Sequence, residues 1–274
     1  MTKQVLAQYY ATVADRMLPH VADRPLSLVR CPEGSTEPCF FQKHSNNVLP
    51  DEIGSIDIVD RKSGKKEPYI TLSTVQGLVA LAQMSALEVH PWGSRNSSLD
   101  RPDRMIFDLD PDTSIPWKTL ASVAIEIRNR LKKLGLESYL ESTGGKGLHV
   151  VVSIRAEHQW TEVKEFAHKL VLAMEKDNPS LYISKMTKAA RAGKIFLDYL
   201  RNDRGATSVA PYSPRARSGM PVSMPLSWSE LISDKPPRFS VFDLPAWKHR
   251  LAHDPWKNWS SDQRLPIDGK GTQT

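Results

Sequence analysis

The run Met105-Ile106-Phe107-Asp108-Leu109-Asp110 restricts what this chain can fold into more than any other segment. With a polar loop before it and an Asp-Pro step after it, the run reads as a buried strand. Side chains on a strand alternate between faces, so Asp108 and Asp110 share one face. Carboxylates held together repel, and burying them without compensation is costly. A divalent cation resolves that conflict. Magnesium or manganese accepts hard oxygen ligands and keeps positions open for water or phosphate oxygens, which points to phosphoryl transfer. A calcium loop is excluded, because the places that want glycine and glutamate hold Thr113 and Thr119. A phosphohydrolase with an aspartyl nucleophile also begins Asp-x-Asp after an apolar strand, but Asp112 stands where it normally has Thr or Val. A strand end running into an Asp-Pro turn is the third reading.

The rest of the chain supplies helices and strands in irregular alternation, which argues for an α+β fold. Val5, Tyr9, Val13 and Met17 repeat on one helical face until Pro25, and a strand follows over 26–30. A polar tip at 61–66 predicts a hairpin between strands at 56–59 and 69–72. Thr74 is placed to cap a helix over 75–88. Pro116 suits the first position of a helix with the stripe Leu120, Val123, Ile127, Leu131 and Leu134, closed by Gly135. Strands are expected over 138–141, 148–154 and 195–200. Thr161 would cap a further helix bearing Phe166, Leu170 and Met174. These elements are expected to form a single domain over 1–262, two lobes around one cleft, with 263–274 as a loose tail.

Composition narrows the setting. The chain is 40% hydrophobic and 25% charged, as core-forming proteins are. Its net charge of +6 suits an anionic partner such as nucleic acid. The first twenty residues show no signal-peptide pattern, and the longest mostly apolar run, 76–87, is too short to span a bilayer. Cys31 and Cys39 lack a CxxC partner or zinc-finger spacing. Two buried free thiols in a reducing cytoplasm are therefore expected.

Further candidate residues cluster later in the sequence. The turn Thr143-Gly144-Gly145-Lys146-Gly147, followed by Leu148 and His149, lacks phosphate-loop spacing but permits close backbone approach to a ligand. A tight hairpin with a self-satisfied histidine is the competing reading. Lys185, Lys188, Arg191 and Lys194 precede an apolar strand that carries Asp198, a candidate third metal ligand. Arg201, Arg204, Arg215 and Arg217 follow, and arginine suits triphosphate oxygens.

Several motifs then fall in a fixed order. They are Arg30-Cys31-Pro32-Glu33-Gly34, Phe40-Phe41-Gln42-Lys43-His44, Ala86-Leu87-Glu88-Val89-His90 and Phe107-Asp108-Leu109-Asp110-Pro111. Gly144-Gly145-Lys146-Gly147-Leu148-His149, Phe196-Leu197-Asp198 and Ala210-Pro211-Tyr212-Ser213-Pro214-Arg215 complete the series. It resembles the polymerase domain of bacterial DNA ligase D, in the archaeo-eukaryotic primase superfamily, up to about Trp228.

The resemblance implies a primase-like catalytic core with a modified RNA-recognition-type mixed or antiparallel sheet, flanked by helices and a second N-terminal sheet. It implies a nucleotidyltransferase that extends primers and fills gaps in non-homologous end joining, with a preference for ribonucleotides and two Mn2+ or Mg2+ ions. Carried over by position, Asp108, Asp110 and Asp198 would hold metal. His90, Thr143, Lys146, His149, Arg215, Arg217, Phe41 and Lys43 would meet the incoming NTP or dNTP. Phe40, Lys3, Arg201, Lys188 and Arg191 would meet DNA or template, the Phe40–Phe41 pair by stacking on unpaired bases. Expected partners are DNA with double-strand breaks or gaps, ligase and nuclease domains of the same polypeptide, and the end-binding protein Ku. No membrane is expected, and the location would be the cytoplasm at the bacterial nucleoid. Two departures are visible. Ser142-Thr143 replaces the usual Thr-Ser, adding a methyl that would alter sugar discrimination. The chain also starts at Met1-Thr2-Lys3, so Lys3 would keep part of the family's contact to a downstream 5′-phosphate without the rest of its basic segment, and either the grip on gapped ends is reduced or the domain is trimmed. That start suggests a portion of a longer protein. A non-catalytic DNA-end binding module and the Asp-x-Asp phosphohydrolase are the alternatives.

Overall fold

The computed structural model describes residues 1–34, 37–45, 49–61, 63–260 and 262–267. Helix α1 (Lys3–Val21) begins where the Thr2 hydroxyl accepts the Val5 N–H, and it buries Leu6, Tyr9, Val13 and Met17. Val5 faces solvent, so the inward stripe starts one residue later than its spacing suggested. Then come β1 (Leu26–Arg30), β2 (Phe40–Gln42), the hairpin β3 (Gly54–Val59) and β4 (Lys66–Thr71), helix α2 (Val75–Ala80) and β5 (Ala86–Pro91). Strand β1 pairs antiparallel with β2 on one side and β5 on the other, forming the expected N-terminal sheet.

The helix expected over 75–88 stops early. Thr74 does cap α2, accepting from the Gly77 N–H, but Ser85 takes a left-handed φ of 54° and β5 begins at Ala86. Pairing wins over the helical pattern here. Leu28 lies opposite Val89 and Leu26 opposite Pro91, and this tertiary register seats Leu87 and Val89 in the core.

The second half contains β6 (Arg104–Pro111), α3 (Trp117–Lys133), β7 (Tyr139–Ser142), β8 (Leu148–Ser153), α4 (Trp160–Asp177), β9 (Tyr182–Ile183), β10 (Ile195–Asp198), β11 (Met224–Leu226) and the short α5 (Leu244–Trp247). Its strands form one sheet in the order β11-β7-β8-β6-β10-β9, antiparallel except for the β9–β10 pair. The fold is α+β, with a mixed sheet flanked by helices. Pro116 stands one place before α3, as its cap residue, and Leu134 lies exposed beyond the end of that helix. The start of α4 is set by Gln159, whose N–H donates to Glu162, and Thr161 sits inside the first turn.

The two faces of β6 have different neighbours. Met105, Phe107 and Leu109 are fully buried and pack with Leu120, Ile127 and Leu131 of α3 and Val163 and Val171 of α4. Each such side chain contributes about 1.5–3 kcal/mol on burial. On the opposite face Ile106 and Val151 lie under Trp256, with Tyr139 and Trp259 against them. That lid covers one end of the face and leaves Asp108 and Asp110 beyond it.

Three expectations need correction or limits. Cys31 and Cys39 form a disulfide. The β1–β2 register pairs Arg30 with Phe40, so the next residues outward meet across the hairpin. The argument from free thiols to a reducing compartment falls away. Residues 263–267 are not loose: the Gln263 side chain accepts from the Glu137 N–H and donates to the Ser153 carbonyl, and Leu265 is buried. Residues 268–274 lie outside the described residues. Among the described residues, no helix is long and apolar enough to cross a membrane.

Candidate active site

Strand registry assembles the site. Asp198 of β10 lies opposite Asp108 of β6, Asp108 opposite His149 of β8, and His149 opposite Glu141 of β7. Directly opposed residues share a face, so these four side chains form one rung across the sheet. Asp110 stands two residues along β6 on the same face. His149 is the buried centre of this rung: its Nε2 is 3.6 Å from Asp108 and its Nδ1 is 3.1 Å from Glu141. Burial alone would lower its pKa, but the two carboxylates outweigh burial and push it up to about 9. Asp108 is drawn below the usual carboxylate range: burial acts against this, but His149 and Arg201 overcome it. Asp198 is pushed up, first by burial and then by Asp108, against the pull of Arg201.

Every acid is also met by a basic side chain. Arg201 Nε lies 3.4 Å from Asp108 and 3.2 Å from Asp198. Asn202, next in sequence, clamps Ile106 by accepting its N–H and donating to its carbonyl, which holds Arg201 over the acids. Lys146 is 3.5 Å and Arg191 3.3 Å from opposite oxygens of Asp110. Among the described residues, no three His, Cys, Asp or Glu side chains gather as a metal cluster. The donor type nevertheless fits a hard divalent cation, since Asp108, Asp110 and Asp198 offer carboxylate oxygens from adjacent strands. An ion bound there would share or displace the Arg201, Lys146 and Arg191 contacts.

A cleft of about 550 Å³ opens between the two sheets and is lined by Phe41, His90, Asp108, Asp110, Thr143, Lys146, His149, Arg201, Arg215 and Arg217. Its N-terminal wall carries Glu88 and His90, an alternating pair on β5 that faces Asp108 and Asp110 on β6. Burial would raise the Glu88 pKa. The His90 hydrogen bond, Arg215 and the Ala216 N–H prevail and bring it from an ordinary 4.5 down to about 2. An acid depressed in this way stabilises the fold above pH 4.5 and loses that contribution as pH falls towards about 2. Acid titration followed by circular dichroism should therefore show wild type losing more stability across that window than Glu88→Gln.

A family model described as the LigD primase-polymerase domain matches residues 2–256. This chain belongs to that family. As a LigD primase-polymerase domain it is an enzyme of the nucleotidyltransferase class. It is 36% identical over 266 residues to the "Multifunctional non-homologous end joining protein LigD" of Pseudomonas aeruginosa, covering 96% of this chain and 31% of that protein. The like-named protein of Mycolicibacterium smegmatis is 36% identical over 246 residues, covering 88% of this chain and 32% of that protein. The chain thus spans about a third of the length of these relatives. The solved polymerase domain of Mycobacterium tuberculosis ligase D, in complex with DNA, superimposes with a TM-score of 0.84 at 31% identity, covering 93% of this chain and 90% of that one.

Within this LigD primase-polymerase domain several expected site residues lie apart from the cleft. Phe40 and Phe41 are neighbours on a strand and so point to opposite faces. Phe41 is 71% exposed and edge-on to His90, whereas Arg30 covers the ring of Phe40. Lys43 lies over the Tyr69 ring of the β3–β4 hairpin, and Lys3 donates to the Gln83 carbonyl. Neither Lys43 nor Lys3 lines the cleft. Arg191 turns inward, over the Phe196 ring and onto Asp110. The Lys188 side chain lies outside the described residues. Glu88 and Glu141 were missed as partners of the histidines, although the Glu-x-His alternation on β5 is a signal once that segment is read as a strand.

The glycine turn brings its backbone against β6. A Cβ on Gly147 would sit 2.7 Å from the Leu109 carbonyl oxygen, between the two acids, whereas one on Gly145 would crowd the movable end of Arg217 and touch the Thr143 hydroxyl at an ordinary 3.5 Å. Gly147→Ala is expected to cost about 1–3 kcal/mol of stability, because a fixed backbone must shift. Gly145→Ala should cost under about 1 kcal/mol. Paired urea denaturation curves would check the contrast.

Proposed function

We propose that this domain adds nucleotides to primer 3′ ends in a template-directed reaction, filling gaps during non-homologous end joining, and that it can also extend unpaired ends. The supporting observation is the rung Asp198–Asp108–His149–Glu141, set beside a glycine turn and facing Arg215 and Arg217 across one cleft. Asp108, Asp110 and Asp198 would hold two Mn2+ or Mg2+ ions, which when bound acidify the primer 3′-hydroxyl and carry the charge of the triphosphate. Lys146, Arg215 and Arg217 would offset charge developing on pyrophosphate. His149, braced by Glu141, would bind a phosphate oxygen or pass it a proton. Phe41 would stack on an unpaired base. DNA with breaks or gaps, NTPs and dNTPs are the proposed substrates. By analogy with the longer LigD relatives, nuclease and ligase domains and the end-binding protein Ku are the proposed partners.

A labelled primer-template carrying a gap, with manganese and either ATP or dATP, tests this reading. Stepwise extension directed by the template base is expected, together with slower addition to a blunt or unpaired end. Salt-sensitive DNA binding without incorporation would favour an end-binding module. Phosphate release from small esters without a template would favour a phosphohydrolase.

A further inference from the structure

Glu88 takes no part in the reaction just proposed, yet it is buried and its carboxylate is fully engaged. Its Oε2 accepts from His90 Nε2 at 2.7 Å, and its Oε1 accepts the Ala216 N–H at 2.9 Å. Arg215 Nε lies 3.0 Å from the same Oε2 without its N–H aimed there, so that contact is an ion pair. The other end of Arg215 donates through Nη1 to the Thr143 carbonyl on the glycine turn. One carboxylate on β5 therefore touches a histidine on one wall of the cleft and an arginine that reaches the opposite wall.

An ionised carboxylate can only accept hydrogen bonds. Opposite Glu88, His90 must carry its hydrogen on Nε2, which leaves Nδ1 as a lone-pair acceptor. Among the described residues, Nδ1 makes no hydrogen bond, and the ring lines the cleft beside Phe41. Burial keeps His90 below its ordinary pKa despite Glu88, while Glu88 is held well below its own, so the neutral ring against a charged acid is the state present at neutral pH.

We infer that Glu88 is a positioning residue for nucleotide binding: it fixes His90 as the Nε2–H tautomer, presenting Nδ1 as an acceptor to a donor group of the nucleotide in the cleft, and anchors Arg215 so that His90 and the triphosphate-side arginine move as one unit. The inference rests on the proposed polymerase reading. It differs from general packing because Glu88→Gln keeps the shape but supplies an NH2 donor. By flipping, the amide can offer Nε2 either its NH2 or its carbonyl oxygen, so both His90 tautomers find a partner, and Arg215 loses its counter-ion.

The experiment joins one measurement without substrate to one with it. Nitrogen-15 NMR of the histidine rings, with His90 assigned through a His90→Gln variant, is expected to show protonated Nε2 and bare Nδ1 in wild type. In Glu88→Gln the two tautomers should mix. In gap filling with manganese, Glu88→Gln is expected to raise the KM for ATP on the order of tenfold, one misplaced hydrogen bond, with a smaller change in kcat. Glu88→Asp should recover part of the KM. A wild-type His90 protonated on Nδ1 overturns the inference even if no variant folds. So does a Glu88→Gln enzyme whose kcat falls while KM stays constant, since that marks a loss of folded protein only. If wild type incorporates no nucleotide, the polymerase reading fails, while the NMR result still decides the tautomer.

Discussion

Asp108→Ala and Asp110→Ala are each expected to lower nucleotide incorporation by about a thousandfold or more, the equivalent of about 4 kcal/mol of transition-state stabilisation. Affinity for gapped DNA should change little, because contacts to the phosphate backbone come from basic side chains. Asp110 is the cleaner test. Its side chain is 43% exposed and Lys146 reaches solvent, while the inward-turned Arg191 keeps the Met186 carbonyl and the Phe196 ring as partners, so its loss disturbs the buried charges less than loss of Asp108. Asp108→Ala removes a carboxylate that faces His149 and Arg201, leaving the buried imidazolium with Glu141 alone. Some loss of stability should accompany that variant, and circular dichroism separates it from the loss of activity. Primer extension by either variant at more than a tenth of the wild-type rate would remove these acids from the reaction.

The second large effect concerns folding. Asp103→Ala should destabilise the domain by about 3–5 kcal/mol, the usual result of stranding a buried charge. Arg24 is fully buried and donates to Asp103 through both terminal nitrogens, at 2.6 and 2.5 Å. Arg24 stands just before β1 and Asp103 just before β6, so the pair ties the N-terminal sheet to the catalytic sheet. Arg95 and Arg104 also approach Asp103, at 3.3 and 3.9 Å, and would be left facing one another. Because the pair is dry, added salt should not reproduce the loss. A urea midpoint that stays within about 0.5 kcal/mol of wild type would show that the fold tolerates an unpaired guanidinium there.

The fold was legible in the sequence wherever a local period ran long enough. Alternation over β6 placed Asp108 and Asp110 on one face, and the 3.6-residue stripe of α3 needed correction only at its ends. Composition carried no such information about β5. Residues 75–88 are apolar enough for helix or strand, and pairing with β1 made the choice. The cysteines show the same limit. Nothing in an eight-residue spacing without a CxxC pattern indicates a bond, whereas the β1–β2 register brings their Cα atoms to 4.5 Å.

By itself the sequence determined the chemistry available: an acidic pair on one strand face, a third acid in an apolar strand, a glycine turn with a lysine, and motifs in the order of one family. Only the tertiary structure decided which of these meet. Cross-strand register put Asp198, Asp108, His149 and Glu141 on one rung, the approach of β5 set Glu88 between His90 and Arg215, and strand alternation parted Phe40 from Phe41. Which way a side chain points follows from local backbone geometry that a periodic sequence already encodes. Which side chain lies opposite depends on pairing between segments far apart in the chain, and the packing of the whole core sets that pairing.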